Sequence, residues 1–203
     1  MAGLFVTLEG IDRSGKTTQA RLLCDALGDG ALGVREPGGT EVGERVRAIL
    51  KDPSIRPTSE AEALLFAAGR AQLVAELVRP ALEAGRVVVS DRFLDSSLAY
   101  QGVARELGLE DVELINRFAT GGLVPDLTIL LEIDPAVAAA RAGERDRFED
   151  EGIDLQRRVL AAYEELAARD PGRWRRVDAA REPGLVHADV LAAVETARSG
   201  APA

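Results

Sequence analysis

The segment Gly10-Ile11-Asp12-Arg13-Ser14-Gly15-Lys16-Thr17 has two glycines, a lysine and a hydroxyl at the spacing of a phosphate-binding loop. Gly10 and Gly15 let the backbone turn tightly and approach phosphate oxygens with no Cβ in the way. Successive N–H groups then converge on an anion, and a helix opening near Lys16 adds its positive end. Lys16 supplies a full charge at the β- and γ-phosphates of a nucleotide, and Thr17 offers a hydroxyl to Mg²⁺. A glycine turn that binds nothing is the bland alternative. The placing of one of only two lysines at the required position argues against it.

A second anchor is Val87-Val88-Val89-Ser90-Asp91-Arg92, a buried strand pattern that ends in an acid and a base. In open α/β sheets, ligands lie beyond the carboxyl ends of the strands, so Asp91 is expected on the same edge as the glycine loop. A carboxylate there can hold Mg²⁺ through its water shell. Arg92 can grip a phosphate with two parallel N–H bonds. Read alone, a surface ion pair at a strand end is the competing explanation.

These anchors need elements to position them. Leu4 to Glu9, Ala31 to Val34, Arg86 to Ser90, Leu127 to Ile133 and Trp174 to Val177 read as strands. Helical patterns lie between them: Lys16 to Leu27, Val42 to Leu50, Ser96 to Leu107, Asp111 to Thr120, Asp154 to Ala168 and Pro183 to Ala197. Ser59 with Glu62 reads as a capping box for a long helix running toward Val78, ended by Pro80 and Gly85. Asp134-Pro135 opens a further helix. The charged, glycine-containing stretch from Ala142 to Gly152 reads as an exposed, mobile loop. Alternating strands and helices imply a parallel sheet covered on both faces. The expectation is one domain over residues 1–203, a three-layer α/β/α fold with a five-stranded parallel sheet and a lid at about 142–153.

Bulk properties narrow the function. The chain is 46% hydrophobic and 29% charged, an ordinary globular composition. Its net charge of −9 argues against a nucleic-acid binder. No apolar run is long enough for a membrane span, and the N-terminus has no leader pattern, so a cytoplasmic location is expected. Cys24 is the only cysteine, which excludes an internal disulfide and reads as a structural thiol. Lys16 and Lys51 are the only lysines among 25 basic residues; the rest are arginines, the better fork for phosphate oxygens.

The chain resembles the thymidylate kinase family of P-loop nucleoside monophosphate kinases over most of its length. The resemblance rests on Glu9 to Thr18, Arg35-Glu36-Pro37-Gly38-Gly39-Thr40, Phe66-Ala67-Ala68-Gly69-Arg70-Ala71-Gln72, Asp91-Arg92-Phe93, Asp95 to Gly102 and Pro125-Asp126-Leu127-Thr128. It implies ATP-dependent phosphorylation of dTMP, Mg²⁺ as cofactor and a homodimer. The loop from Gly10 to Thr18, with Arg141, would hold ATP. Thr17 and Asp91 would serve the metal. Asp12 would face the acceptor sugar, beside Glu36 and Pro37. Arg47 and Arg92 would hold the acceptor phosphate. Phe66 would stack on the thymine, Arg70 would hydrogen-bond its carbonyl, and Ser97 and Gln101 would complete the base pocket. Tyr100 would pack on the sugar and disfavour a 2′-hydroxyl. Taken without the family, Phe66 reads as ordinary core.

Lid arginines Arg141, Arg145 and Arg147 would close over ATP, and either Arg13 or a lid arginine such as Arg145 would stabilise the transferring group. Two departures stand out. Gly69 replaces a common aspartate beside Arg70, which predicts a more loosely oriented Arg70. Phe93 replaces a tyrosine or histidine, which removes a polar group near the acceptor.

An acceptor phosphate is already anionic near neutral pH, so no general base is needed. The only histidine, His187, lies far from every motif. Catalysis would be positioning and charge neutralisation by Mg²⁺, Lys16, Arg92 and a finger arginine. The competing functions are a deoxynucleoside kinase or another monophosphate kinase, and, from a different class, a P-loop switch ATPase.

Overall fold

The computed structural model describes residues 3–141 and 152–200 of the chain. Its strands are Leu4–Glu9 (β1), Ala31–Arg35 (β2), Val87–Asp91 (β3), Leu127–Glu132 (β4) and Trp174–Asp178 (β5). Helices Lys16–Leu27 (α1), Glu41–Lys51 (α2), Ser59–Leu73 (α3), Arg79–Glu83 (α4) and Leu94–Ser97 (α5) occupy the first half of the chain. Leu109–Thr120 (α6), Pro135–Ala140 (α7), Ile153–Arg169 (α8) and Pro183–Ser199 (α9) follow. The sheet order is β2-β3-β1-β4-β5, and every pairing is parallel. That agrees with the five-stranded, helix-covered sheet expected from the pattern. None of the helices among the described residues is long and apolar enough to cross a membrane.

Strand alternation divides the core. Val6 and Leu8 of β1, with Val87 and Val89 of β3, join the large apolar cluster that includes α1, α8 and α9. Phe5 and Val88 belong to a second cluster with Leu73, Val74, Val78 and Phe93. Thr7 stands opposite Ser90 and Thr128 in register, so a polar seam runs through the buried sheet. It is satisfied internally. The Thr7 hydroxyl donates to Thr128 Oγ1 at 3.1 Å. Arg173 reaches Asp95 through two N–H groups, 2.6 and 2.9 Å, and Thr128 at 2.7 Å.

Several elements differ from expectation. Thr58, not Ser59, caps α3, its side chain accepting the Ala61 N–H. Glu62 is not a capping partner. It is buried and accepts from Gln101 Nε2 at 2.9 Å and Arg105 Nε at 3.1 Å. The helix also continues past Pro80. A π-helical turn at Val74–Val78, closed by the Arg79 N–H on the Val74 carbonyl, leads without a break into α4, which contains Pro80. Ser96 to Leu107 is not a regular α-helix: α5 starts at Leu94, and Leu98–Ala104 is π-helical. Residues 142–151 of the segment expected as a lid, with Arg145 and Arg147, lie outside the described residues.

Asp95 is fully buried, whereas the Arg173 side chain keeps 18% exposure. Removing the arginine leaves a buried carboxylate without its strongest partner. Arg173→Met is therefore expected to destabilise the protein by about 3–5 kcal/mol, read as a lower urea midpoint. A midpoint unchanged from the parent would contradict this reading of the seam.

Candidate active site

The loop after β1 is dictated by close approach. Gly10 has φ 142°, and a Cβ there would lie 2.6 Å from the Leu131 carbonyl oxygen. Gly15 (φ 101°) occupies the N-cap of α1 in the left-handed region, where it carries no Cβ penalty. Lys16 folds back over the loop, donating to the carbonyls of Gly10 (3.1 Å) and Ile11 (2.7 Å). Burial, and the neighbouring Arg92, push its pKa down to about 8 against the pull of Asp12, Asp91 and Glu9. The Thr17 hydroxyl meets the Asp91 carboxylate directly. Two hard oxygens thus sit together at the loop, the donor type Mg²⁺ takes alongside phosphate oxygens and water.

Parallel pairing places Leu8 opposite Asp91, so the two anchors open on the same edge of the sheet. Arg92 follows with φ 71°, a left-handed conformation that costs about 1–3 kcal/mol for a residue with a side chain. Its peptide is held on both sides: its N–H donates to the Leu8 carbonyl, and its carbonyl accepts from Ser90 Oγ at 2.6 Å. The guanidinium donates to Gly10 O and Ser96 Oγ, both at 3.1 Å, to Tyr163 at 3.3 Å and to Asp12. It also stacks over the Tyr100 ring, 5.2 Å from the centroid. Burial opposes the Asp12 charge, but Arg92 and then Lys16 overcome it and hold the pKa below the usual carboxylate range. Burial keeps the Tyr100 phenol neutral, with its hydroxyl donating to Asp12 Oδ2 at 3.2 Å.

Two cavities meet over this loop. One, of about 280 Å³, is lined by Asp12, Glu36, Pro37, Arg47, Phe66, Arg92, Ser97, Tyr100 and Gln101, with Arg35, Lys51, Asp91 and Ser96. The other, of about 500 Å³, runs from Ser14, Gly15, Thr18 and Arg141 to Ala179–Pro183. Arg13, Lys16 and Thr17 belong to both. Arg13, itself at φ 60°, donates to the carbonyls of Ala139 (3.1 Å) and Arg141 (3.0 Å). Arg141 returns the contact to the carbonyls of Arg13 and Ser14.

Of the residues expected around the acceptor, Arg70 alone is absent from the cleft wall. It is 1% exposed, and its N–H groups go to Glu36 Oε2 (2.8 and 2.6 Å), Ser97 Oγ (3.1 Å), the Phe93 carbonyl (3.1 Å) and Asn116. The looseness expected from Gly69 is therefore absent. Gly69 faces α2 instead, where a Cβ would rest 3.6 Å from Val46 and 3.8 Å from Gly43. Arg70 acts on the cleft through Glu36 and Ser97. Burial raises the Glu36 pKa against the nearby Arg70, and its Oε1 has no hydrogen-bond partner among the described residues. Phe93 is likewise core: fully buried, edge-on to Phe5 at 4.8 Å and beneath the Arg70 guanidinium at 5.5 Å.

Sequence reasoning missed a layer beneath the cleft. Glu9, the last residue of β1, is fully buried and accepts from the Phe93 N–H (2.8 Å), Ser96 (2.6 Å) and Tyr163 (2.8 Å). Burial and the nearby Asp95 push its pKa up to about 7, against Arg92, Ser96 and Tyr163. Gln156, in the first turns of α8, bonds Asp12 twice: it accepts the backbone N–H at 3.1 Å and donates to Oδ2 at 2.8 Å. The spacing of Gln156 and Tyr163, seven apart on one helix, was the only sequence signal that both face the same way.

A family model described as thymidylate kinase matches residues 8–190. A thymidylate kinase of Desulforudis audaxviator is 51% identical over 201 residues, covering 96% of this chain and 91% of that protein. One of Deinococcus radiodurans is 47% identical over 198 residues, covering 95% and 96%. Among solved structures, the crystal structure of thymidylate kinase from Ehrlichia chaffeensis aligns with a TM-score of 0.80 at 28% identity, covering 96% of this chain and 100% of that one. The loop, the strand tips and these similarities agree, and the chain belongs to the thymidylate kinase family.

Proposed function

We propose that the two cavities are the donor and acceptor halves of one phosphoryl-transfer site, in which ATP lies along the 500 Å³ cavity and dTMP in the 280 Å³ cleft. The activity is ATP-dependent phosphorylation of dTMP to dTDP. The single observation that carries the arrangement is the sharing of Arg13, Lys16 and Thr17 by both cavities. A γ-phosphate on the loop and an acceptor phosphate at Arg92 would then be brought end to end, as in-line transfer requires.

Lys16 neutralises charge at the β- and γ-phosphates, and Arg47 and Arg92 grip the acceptor phosphate. Mg²⁺, held at Thr17 and Asp91, supplies positive charge at the donor phosphates when bound. Asp12 accepts from Tyr100 and Arg92, which fixes both against the acceptor sugar. Phe66 stacks on the base, with Ser97 and Gln101 at its edge. Arg70 holds Glu36 and Ser97 in place; a bond to the base carbonyl requires exchange of one of its present partners. Arg13 is the favoured finger arginine because it lies between the cavities, and Arg145 of the lid is the alternative. The chain works as one domain with a lid at 142–153, in the cytoplasm, and as a homodimer. Leu114 and Phe118, 67% and 91% exposed on one face of α6, support a second copy as partner.

A coupled ADP-release assay over nucleosides and nucleoside monophosphates tests the acceptor. dTMP is expected to have the highest kcat/KM, and a higher value for any nucleoside would displace this assignment. Phe66→Ala is expected to raise the KM for dTMP about 5- to 100-fold, the cost of losing one stacked base, and to leave the KM for ATP nearly unchanged. The opposite order would misplace the base.

Lys16 binds phosphate only when protonated, and its lowered pKa brings the loss of that proton within reach. kcat/KM for ATP should thus hold below pH 8 and fall about tenfold per pH unit above it. A flat profile to pH 10 would refute the role given to this ammonium.

A further inference from the structure

Glu9 lines neither cavity, yet every path from it leads to Arg92. Its Oε1 accepts the Phe93 N–H, which fixes the peptide that follows the left-handed Arg92. Its Oε2 accepts the hydroxyls of Ser96 and Tyr163. The two hydroxyl oxygens also stand 2.8 Å apart, close enough for either to donate to the other; with each single proton directed at the carboxylate instead, the lone pairs of both are left to Arg92. Arg92 NH1 donates to those same two oxygens, at 3.1 and 3.3 Å. Charged neighbours Asp95, Arg92 and Lys16 complete the surroundings of Glu9.

We propose that Glu9 is the positioning residue of the acceptor-phosphate site: by setting the proton direction of Ser96 and Tyr163 it holds the Arg92 guanidinium at the cleft, and it makes α8 part of that hold. The inference rests on the reading of Arg92 as a ligand of the acceptor phosphate. A glutamine at position 9 can still accept the Phe93 N–H, but its amide must then donate toward the two hydroxyls. Those hydroxyls would turn their protons elsewhere. Volume and burial stay the same, so the change is one of polarity. Tyr163→Phe removes one donor to Glu9 and one acceptor of Arg92, and leaves Ser96 in place.

The test is steady-state kinetics of the full chain with dTMP and ATP varied independently. Glu9→Gln is expected to raise the KM for dTMP about tenfold, the scale of losing one charge-assisted contact, with the KM for ATP within about twofold of the parent. Tyr163→Phe should raise the KM for dTMP about threefold, and the double variant should match Glu9→Gln alone, because both act through one network. Unchanged KM for dTMP in Glu9→Gln, an equal rise for both substrates, or multiplicative effects in the double variant would each overturn the proposal. Where Glu9→Gln fails to fold, the dTMP-against-ATP split in Tyr163→Phe decides it. A parent enzyme that does not phosphorylate dTMP refutes the acceptor assignment itself and this inference with it; a fully active parent with indifferent variants refutes the inference alone.

Discussion

Everything at the site depends on the parallel pairing of β1 with β3, which sets Leu8 beside Asp91. That register puts a glycine loop and an acid–arginine pair on one edge of the sheet. It also lets the Arg92 backbone N–H bond the Leu8 carbonyl, so the second anchor is joined to the strand that launches the first. A parallel pair needs a long crossover, and here α1, β2, α2, α3 and α4 all lie between the two strands. The intervening chain is itself useful. It delivers Glu36, Arg47 and Phe66 to the same cleft, so the connection that the sheet requires becomes one wall of it.

Charge burial follows from this crowding. Lys16, Glu9, Glu36 and Arg70 are all nearly inaccessible, and isolated ions in such places would be prohibitive. The fold offsets the cost by pairing each with fixed partners: loop carbonyls for Lys16, hydroxyls and an amide for Glu9, and Glu36 with Ser97 for Arg70. Such pairs contribute little net stability. What they supply is direction. A guanidinium that donates to several fixed acceptors has one orientation, and an orientation set before the ligand arrives need not be set during the reaction.

The chemistry was legible in the sequence where geometry demands particular residue types at fixed spacing. Gly10, Gly15, Lys16 and Thr17 can be read because only glycine tolerates that approach and only a hydroxyl and an ammonium serve there. The strands were legible from their apolar runs, to within a residue or two at their ends. Partners distant in sequence were not. Nothing around Arg70 announces that Glu36 and Asn116 will take up its donors. Glu9 looks like the polar end of a strand, although α8, 154 residues later, covers it with Tyr163. The π turns escaped because slipping a helix by one hydrogen bond leaves its apolar pattern almost intact. Thr58 and Ser59 are equally good caps by type, and only the backbone decides between them.

The cations of the site hold protein partners: Lys16 on loop carbonyls, Arg92 on Asp12, and Arg13 on the carbonyls of Ala139 and Arg141. Binding is therefore an exchange rather than the filling of a void, and affinity measures the difference between phosphate oxygens and these stand-ins. The exchange is not local. Asp12 is shared between Arg92, Tyr100 and Gln156, so an acceptor that draws Arg92 away changes what Gln156 holds at the start of α8. Gln156 lies in the first turns of α8, so the Arg92 side of the cleft is tied to the start of that helix by hydrogen bonds through one carboxylate.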